Sequence, residues 1–159
     1  MKIVIRPIRN DFLLKVRDAS LDDQNQKVVR LIAEGGEPCR DVLRRAVPGE
    51  ELILASYCPF AIAGPYKEYG PVFVLAAHST ERVDYQSLPL PKGSPTDYLR
   101  AQPFVLRAYS KAENIVAAEL LEPSSAQTVL NKMFDSSQVE FVLARYAAYG
   151  CYSFRVERG

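Results

Sequence analysis

Histidine and cysteine are scarce in this sequence of 159 residues, which has one histidine, His78, and three cysteines. A single histidine excludes, within one chain, a catalytic zinc site built from several histidines and a 2-His-1-carboxylate iron site. A zinc site gathering all three cysteines and His78 is the alternative. It is not favoured, because no C-x-x-C pair supplies closely spaced ligands. We therefore expect neither a metal nor a cofactor.

Glycine-rich phosphate-binding sequences are also absent, since the chain has neither GxxxxGK[ST] nor GxGxxG. Gly35-Gly36 follows a predicted strand, but Glu37 and Pro38 come next. An acidic side chain and a missing backbone N–H make a poor phosphate cradle. The chain also has no large excess of positive or negative charge: twenty basic and nineteen acidic residues give a net charge of +1. Nucleic-acid binding through a basic surface is therefore not expected.

Long apolar runs are missing, and no segment approaches the ~20 apolar residues of a membrane span. Near the start, Arg6, Arg9, Asn10 and Asp11 interrupt the apolar residues, which is not the pattern of a signal peptide. Three cysteines in such a chain suggest reduced thiols. We expect a cytoplasmic protein that does not associate with membranes.

Short hydrophobic segments separated by turn residues dominate the chain and predict one α+β domain over 1–159, built on a mostly antiparallel sheet. Segment 124–134 is predicted to be a helix, with Ser124 and Gln127 at the spacing of a capping box. Segment 38–46 is predicted to form one or two helical turns. Segment 84–103 has four prolines and is predicted to be a loose exposed loop, with a lid or wrapping segment as the alternative. Strands are predicted at 2–6, 12–17, 28–34, 51–57, 72–78, 104–110, 115–122, 139–148 and 151–157.

Six short motifs occur in order along the chain: PCR at 38–40, PGE at 48–50, PY at 65–66, GPVFV at 70–74, LRAY at 106–109 and GCYSFR at 150–155. Together they resemble a bacterial family catalogued as domain of unknown function 1203. The resemblance implies a small bacterial protein without an assigned activity, and it supplies no catalytic residues. Members often carry histidine and asparagine just before the Gly-Cys-Tyr segment, where this chain has Leu143, Arg145 and Tyr146. Chemistry that used those two groups is therefore not expected here.

Cys39 and His78 are the candidate catalytic residues. A nucleophilic cysteine needs a nearby cation, imidazolium or helix N-terminus. Arg40 follows Cys39 directly, Arg44 and Arg45 would lie one turn on if the segment were helical, and His78 is the only imidazole available as a base. The alternative is that Cys39 is a small buried hydrophobic residue beside a turn.

Four residues within the motifs are candidates for binding a ligand: Arg40, Tyr66, Arg107 and Cys151. Arg107 lies in a predicted strand between apolar and aromatic residues, and a buried arginine there needs a partner. That partner would be either a carboxylate of the protein, with Glu50, Glu68 and Glu119 as candidates, or a ligand. The planar guanidinium suits bidentate capture of carboxylate or phosphate.

Two functional hypotheses follow. The preferred one is a bacterial cytoplasmic domain that binds a small anionic molecule in a pocket near Cys39, Arg107 and Cys151. The alternative is a non-catalytic protein–protein interaction module, in the form of a homodimer for example, that would use the nine tyrosines and the proline-rich segment. The residue pattern does not decide whether the protein is an enzyme.

Overall fold

Two five-stranded sheets form the framework in the computed structural model, which describes all 159 residues. The strands are β1 (Ile3–Arg6), β2 (Val29–Ile32), β3 (Pro38–Cys39), β4 (Arg44–Arg45), β5 (Glu51–Tyr57), β6 (Gly70–Leu75), β7 (Phe104–Tyr109), β8 (Ile115–Leu121), β9 (Phe141–Tyr146) and β10 (Tyr152–Arg158). The first sheet has the order β1-β10-β9-β7-β8 and is antiparallel throughout. The second has the order β2-β5-β6-β3-β4, and its only parallel pairing joins β3 to β6. The predicted α+β class is confirmed.

Two short helical segments complete the fold. Helix α1 (Asn10–Leu14) continues into a π-helical turn (Lys15–Ala19), and a 3₁₀ turn (Pro123–Ser125) leads into α2 (Ala126–Phe134). None of these helices has the length and apolar character that a membrane crossing requires. The helix predicted at 124–134 is confirmed, but the predicted capping box is wrong, because no side chain caps the start of α2. The chain instead enters α2 through the 3₁₀ turn.

The predicted strand at 12–17 is wrong, because that segment is helical. Phe12 and Val16 are both fully buried and stand four residues apart, which is the period of a helix face. Leu14 between them is exposed. The apolar residues of FLLKV are compatible with a strand and with a helix. Packing of the Phe12–Val16 face against the sheets selects the helix.

Three apolar clusters hold these layers together. The helix core joins one face of the first sheet to α2, with Leu106, Ala144 and Leu130 among its members. The inter-sheet core packs the other face of that sheet against the second sheet and α1, and Phe141 and Val74 belong to it. The outer core lies around Cys39, Val42 and Leu52 of the second sheet.

The helical turns predicted at 38–46 are wrong, because this segment forms the short hairpin of β3 and β4. Leu43 adopts a φ of +49° in the connection. Cys39 pairs with Phe73 of β6, and the Arg40 N–H donates to the Phe73 carbonyl at 2.9 Å. Hydrogen bonds to a strand that is distant in sequence thus override the local pattern.

Segment 84–103 has no regular secondary structure, as predicted, but it wraps the protein instead of forming a loose loop. Tyr98 and Leu99 are buried in the helix core, and Tyr85 packs against it. The Ile5 N–H donates to the Tyr85 carbonyl at 2.8 Å. The segment therefore covers one end of the first sheet and brings residues 98–103 to a fixed position.

A β-bulge interrupts β10 at Ser153. Tyr152 pairs with Arg145 and Phe154 pairs with Ala144, so Ser153 is an extra residue on the β10 side. Tyr152 consequently belongs to the inter-sheet core and Phe154 to the helix core. Regular alternation along the predicted strand at 151–157 would place Tyr152, Phe154 and Val156 on one face, and the bulge moves Tyr152 to the other.

Two carbonyl groups at the bulge accept hydrogen bonds from side chains. The Tyr152 carbonyl accepts a hydrogen bond from Arg40 Nε at 2.9 Å. The Ser153 carbonyl accepts one from the Tyr98 hydroxyl at 2.7 Å. The hairpin of β3 and β4 and the wrapping segment are thereby fastened to the same point of the first sheet.

Replacing Tyr98→Phe tests this attachment. Loss of the hydroxyl leaves the buried Ser153 carbonyl without its donor, which should lower the free energy of unfolding by about 1–3 kcal/mol. Urea denaturation measures the change. Tyr149→Phe is the matched control, since Tyr149 is 91% exposed and should change nothing measurable. Equal effects of the two substitutions would contradict the assigned hydrogen bond.

Candidate functional site

A large open groove lies where three segments meet. Its volume is about 1060 Å³. It is lined by residues 34–38 before and at β3, residues 99–100 and 102–104 at the end of the wrapping segment, and residues 146–149 and 151 around the β9–β10 turn. Leu54 and Phe73 of the second sheet add apolar surface. The groove therefore depends on the wrapping segment, the short hairpin and the bulged strand together.

Arg40 is the central charged residue of the groove and is only 2% exposed. Besides its bond to the Tyr152 carbonyl, its Nη1 donates to the Pro38 carbonyl at 2.7 Å and its Nη2 to Cys151 Sγ at 3.1 Å. Its guanidinium carbon lies 5.4 Å from the centre of the Tyr146 ring. No carboxylate forms an ion pair with it. Carbonyl dipoles, a sulfur atom and an aromatic face are all that compensate this buried charge.

Arg45 and Arg100 bring two further cations to the groove, and neither forms an ion pair. Arg45 Nη1 donates to the Gly36 carbonyl at 2.6 Å, and its guanidinium also lies 5.4 Å from the Tyr146 ring centre. A Cβ atom on Gly36 would lie 3.2 Å from Arg100 Nη2, so this arginine packs closely over the Gly36 backbone. Burial lowers the pKa of Arg45, and the like charges of Arg100 and Arg40 lower it further.

The lining contains three arginines and two glutamates, Glu34 and Glu37. Both oxygens of the Glu37 carboxylate are engaged by its own loop, accepting the N–H groups of Glu34 at 2.9 Å and Gly35 at 2.8 Å. The groove thus has one cation more than it has carboxylates, and no arginine in it is neutralised directly. Such a surface favours an anion.

The β9–β10 turn sets the position of Cys151. The Tyr146 N–H donates to the Cys151 carbonyl at 3.1 Å, and the Gly150 N–H donates to the Tyr146 carbonyl at 2.8 Å. Gly150 has a φ of +70°, in the left-handed region that side-chain-bearing residues resist. Cys151 follows this turn with a partly exposed side chain that lines the groove.

Cys39 has a different environment from its neighbour Arg40. Adjacent residues of an extended chain point to opposite sides, and the Cys39 side chain is fully buried in the outer core. Burial raises the pKa of the Cys39 thiol to about 12, and the nearby Asp41 carboxylate adds to this effect. Arg44 and Arg40 act in the other direction but do not outweigh burial. This is the reverse of the activation that the Cys39 hypothesis requires.

His78, Tyr66 and Arg107 do not line the groove. His78 and Tyr66 are exposed in loops. Arg107 Nη1 lies 3.7 Å from Glu68 Oε1, and the same carboxylate pairs with Arg145. Glu68 was one of the candidate partners for Arg107, so a carboxylate of the protein already satisfies this arginine.

Of the predicted site residues, the structure brings together Arg40 and Cys151, which are 111 positions apart. Sequence reasoning did not assign Arg45, Arg100 or Tyr146 to a ligand site. Arg45 was considered only as a cation on a helix that does not form. Arg100 lies in the irregular segment, where no periodic pattern indicates which way a side chain points.

Replacing Gly150→Ala tests whether the turn is specified by backbone conformation. No atom lies within 4 Å of the position that a Cβ would occupy, so a clash is not expected. The left-handed φ should still cost about 1–2 kcal/mol of unfolding free energy, measured by urea denaturation. Gly64→Ala is the control, because its Cβ also meets no atom and its φ is outside the left-handed region. A loss no larger than that of the control would contradict the assigned strain.

Stability at alkaline pH should reveal the burial of Cys39. Above the ordinary pKa of 9.0 the unfolded chain loses a proton that the folded protein keeps until about pH 12. The folded state then binds more protons, so stability falls as pH rises, by at most about 1.4 kcal/mol per pH unit from this group. Burial raises the pKa of Tyr98 in the same way. Thermal unfolding between pH 8 and pH 11 should show a shallower fall for Cys39→Ala, and an unchanged slope would contradict the assignment.

Comparison with known proteins gives one match. A family model described as "Protein of unknown function (DUF1203)" matches residues 36–158. No curated protein and no solved structure matches the chain significantly. Arg40, Arg45, Arg100 and Cys151 all lie within the matched region.

Proposed function

Since the chain belongs to the DUF1203 family, whose description specifies no activity, we propose a function from the groove itself. The groove binds a small molecule that carries a carboxylate or phosphate group together with an apolar portion. The observation that carries this proposal is the burial of Arg40 without a carboxylate partner. In most proteins a buried charge is paired, and an anionic ligand would supply the pairing here.

The donors available in the groove support an anion. A guanidinium has five N–H donors, and Arg40 uses three of them on the protein. Arg45 uses two, on the Gly36 and Asp97 carbonyls, and Arg100 uses none. Donors from three cations therefore remain free around one space. Oxygens of a carboxylate or phosphate are the acceptors that guanidinium groups bind in a bidentate way.

The remainder of the lining supports an apolar portion of the ligand. Leu54 and Phe73 are partly exposed in the groove, and Tyr146 adds an aromatic ring, whereas Leu99 and Phe104 border it but are almost fully buried. A volume of about 1060 Å³ is that of a site for a molecule of drug-like size. Free phosphate alone would leave most of this surface uncovered, so an organic anion fits better.

Titration of isotope-labelled protein with phenyl phosphate tests the proposal by NMR. We expect saturable shifts of backbone amides at the non-proline residues of segments 34–38, 99–104 and 146–151. Arg100→Gln should weaken binding by about tenfold or more, because hydrogen bonds to charged groups contribute about 1.5–3 kcal/mol. Arg100 makes no side-chain hydrogen bond within the protein, so the variant should fold normally.

Two controls accompany this titration. Arg82→Gln removes an exposed arginine outside the groove and should leave the affinity unchanged. Phenol, which lacks the anion, should bind far more weakly than phenyl phosphate. The proposal is contradicted if no saturable shift occurs, or if Arg100→Gln and Arg82→Gln bind phenyl phosphate equally well.

A second candidate function is self-association through the edge strand β8, and one observation favours it. β8 is exposed along most of its length, and Leu120 is 64% exposed. Edge strands with unpaired backbone groups can extend a sheet into another chain. Light scattering at increasing concentration tests this candidate: a dimer supports it, and a monomer at the highest concentrations contradicts it.

A further inference from the structure

The three cysteines of the chain differ sharply in access to the groove. Cys39 is fully buried in the outer core and Cys58 is buried in the inter-sheet core. Cys151 alone is partly exposed, and it alone lines the groove. A reagent or ligand that enters the groove therefore meets one sulfur atom.

The sulfur of Cys151 accepts a hydrogen bond from a cation that has no carboxylate partner. Arg40 Nη2 lies 3.1 Å from Sγ, while the bonds to the Tyr152 and Pro38 carbonyls fix the guanidinium in place. A thiolate is a stronger acceptor than a thiol, and it is also the nucleophilic form of the residue. The contact places the Cys151 sulfur directly beside the anion-binding donors of the groove.

The groove lining favours a reaction that needs little acid–base assistance. It contains neither histidine nor lysine, and Glu37 is engaged by its own loop, which leaves Glu34 and two tyrosines as the groups able to donate a proton. Acyl transfer to an amine or alcohol leaving group needs a general acid in addition to the nucleophile. Thiol–disulfide exchange needs none, because the leaving group departs as a thiolate.

We propose that Cys151 is a nucleophile that exchanges with a small anionic disulfide held by the arginines of the groove. The Cys151 sulfur attacks one sulfur of the ligand, a Cys151–ligand disulfide forms, and the ligand's own disulfide bond breaks. The departing thiolate takes the electron pair of the broken bond, and the thiol proton of Cys151 passes to solvent. The ligand disulfide is the oxidant, so the exchange balances without another co-reactant.

The resulting mixed disulfide needs a second thiol from outside the chain. Cys39 and Cys58 are buried in other parts of the protein and do not line the groove, so neither is placed to attack the mixed disulfide. An external thiol of the same anionic class would bind the arginines, attack the ligand sulfur and restore Cys151. This inference rests on the proposed anion binding.

Two disulfide reagents separate the electrostatic contribution from simple thiol reactivity. Dithiobis(nitrobenzoate) is a small anionic aromatic disulfide, and dithiodipyridine is a neutral one. In the native protein we expect one rapidly reacting thiol, which peptide mass spectrometry should identify as Cys151. Cys151→Ser should abolish this phase, whereas Cys39→Ala and Cys58→Ala should retain it.

The arginine variants supply the decisive comparison. Arg100→Gln should slow the anionic reagent about tenfold, since charged clefts accelerate encounters with oppositely charged ligands by about that factor or more. The same substitution should change the rate of the neutral reagent less than about twofold. Arg82→Gln should alter neither rate.

The outcomes distinguish this inference from the proposed function. If phenyl phosphate binds but native Cys151 reacts with neither reagent, the exchange reaction is overturned and the anion site stands. If Cys151 reacts equally well with both reagents and Arg100→Gln changes neither rate, anion-directed exchange is overturned. If phenyl phosphate also causes no saturable shift, the proposed function is contradicted as well.

Discussion

The hydrogen bonds of the Arg40 guanidinium are the constraint on which the rest of the structure depends. They run from the start of the β3–β4 hairpin, in the second sheet, to the bulge of β10 in the first. The same group contacts Cys151 and the Tyr146 ring, both of which line the groove. One side chain therefore connects the two sheets and lines the groove.

The cost of burying that charge explains several otherwise unrelated features. At the bulge of β10 the Tyr152 carbonyl accepts a hydrogen bond from Arg40. The Pro38 carbonyl accepts a second bond, and the ring of Tyr146 offers its negative face. These groups solvate the cation without neutralising it. The groove therefore contains a cation without a carboxylate partner beside apolar lining residues.

Sequence patterns predicted the parts of this fold that local chemistry determines. The strands at 51–57 and 104–110 and the helix at 124–134 were predicted from local residue patterns, and the structure contains them. The segments at 12–17 and 38–46 were assigned the wrong type, because packing against distant strands decides their conformation. The bulge leaves no signature in the order of residues, yet it reverses the face to which Tyr152 belongs.

In the candidate site, too, the residue types could be predicted from the sequence but the contacts between distant residues could not. Arg40 and Cys151 could be selected from the sequence as charged and nucleophilic residues within short motifs. Their contact could not be predicted, since it depends on the pairing of β3 with β6 and on the turn after Tyr146. Cys39 was a reasonable candidate by the same criteria. Its side chain points away from the groove only because it precedes Arg40 by one residue in an extended strand.

The most direct test of the account is an NMR measurement of the Arg40 side chain. The Nε–H signal of Arg40 should exchange slowly with water, because it is buried and donates to the Tyr152 carbonyl. It should be missing in Arg40→Lys, and it should shift saturably when phenyl phosphate is added. Rapid exchange of this proton would contradict the burial of Arg40. A signal that does not shift at saturating phenyl phosphate would contradict its role in binding an anion.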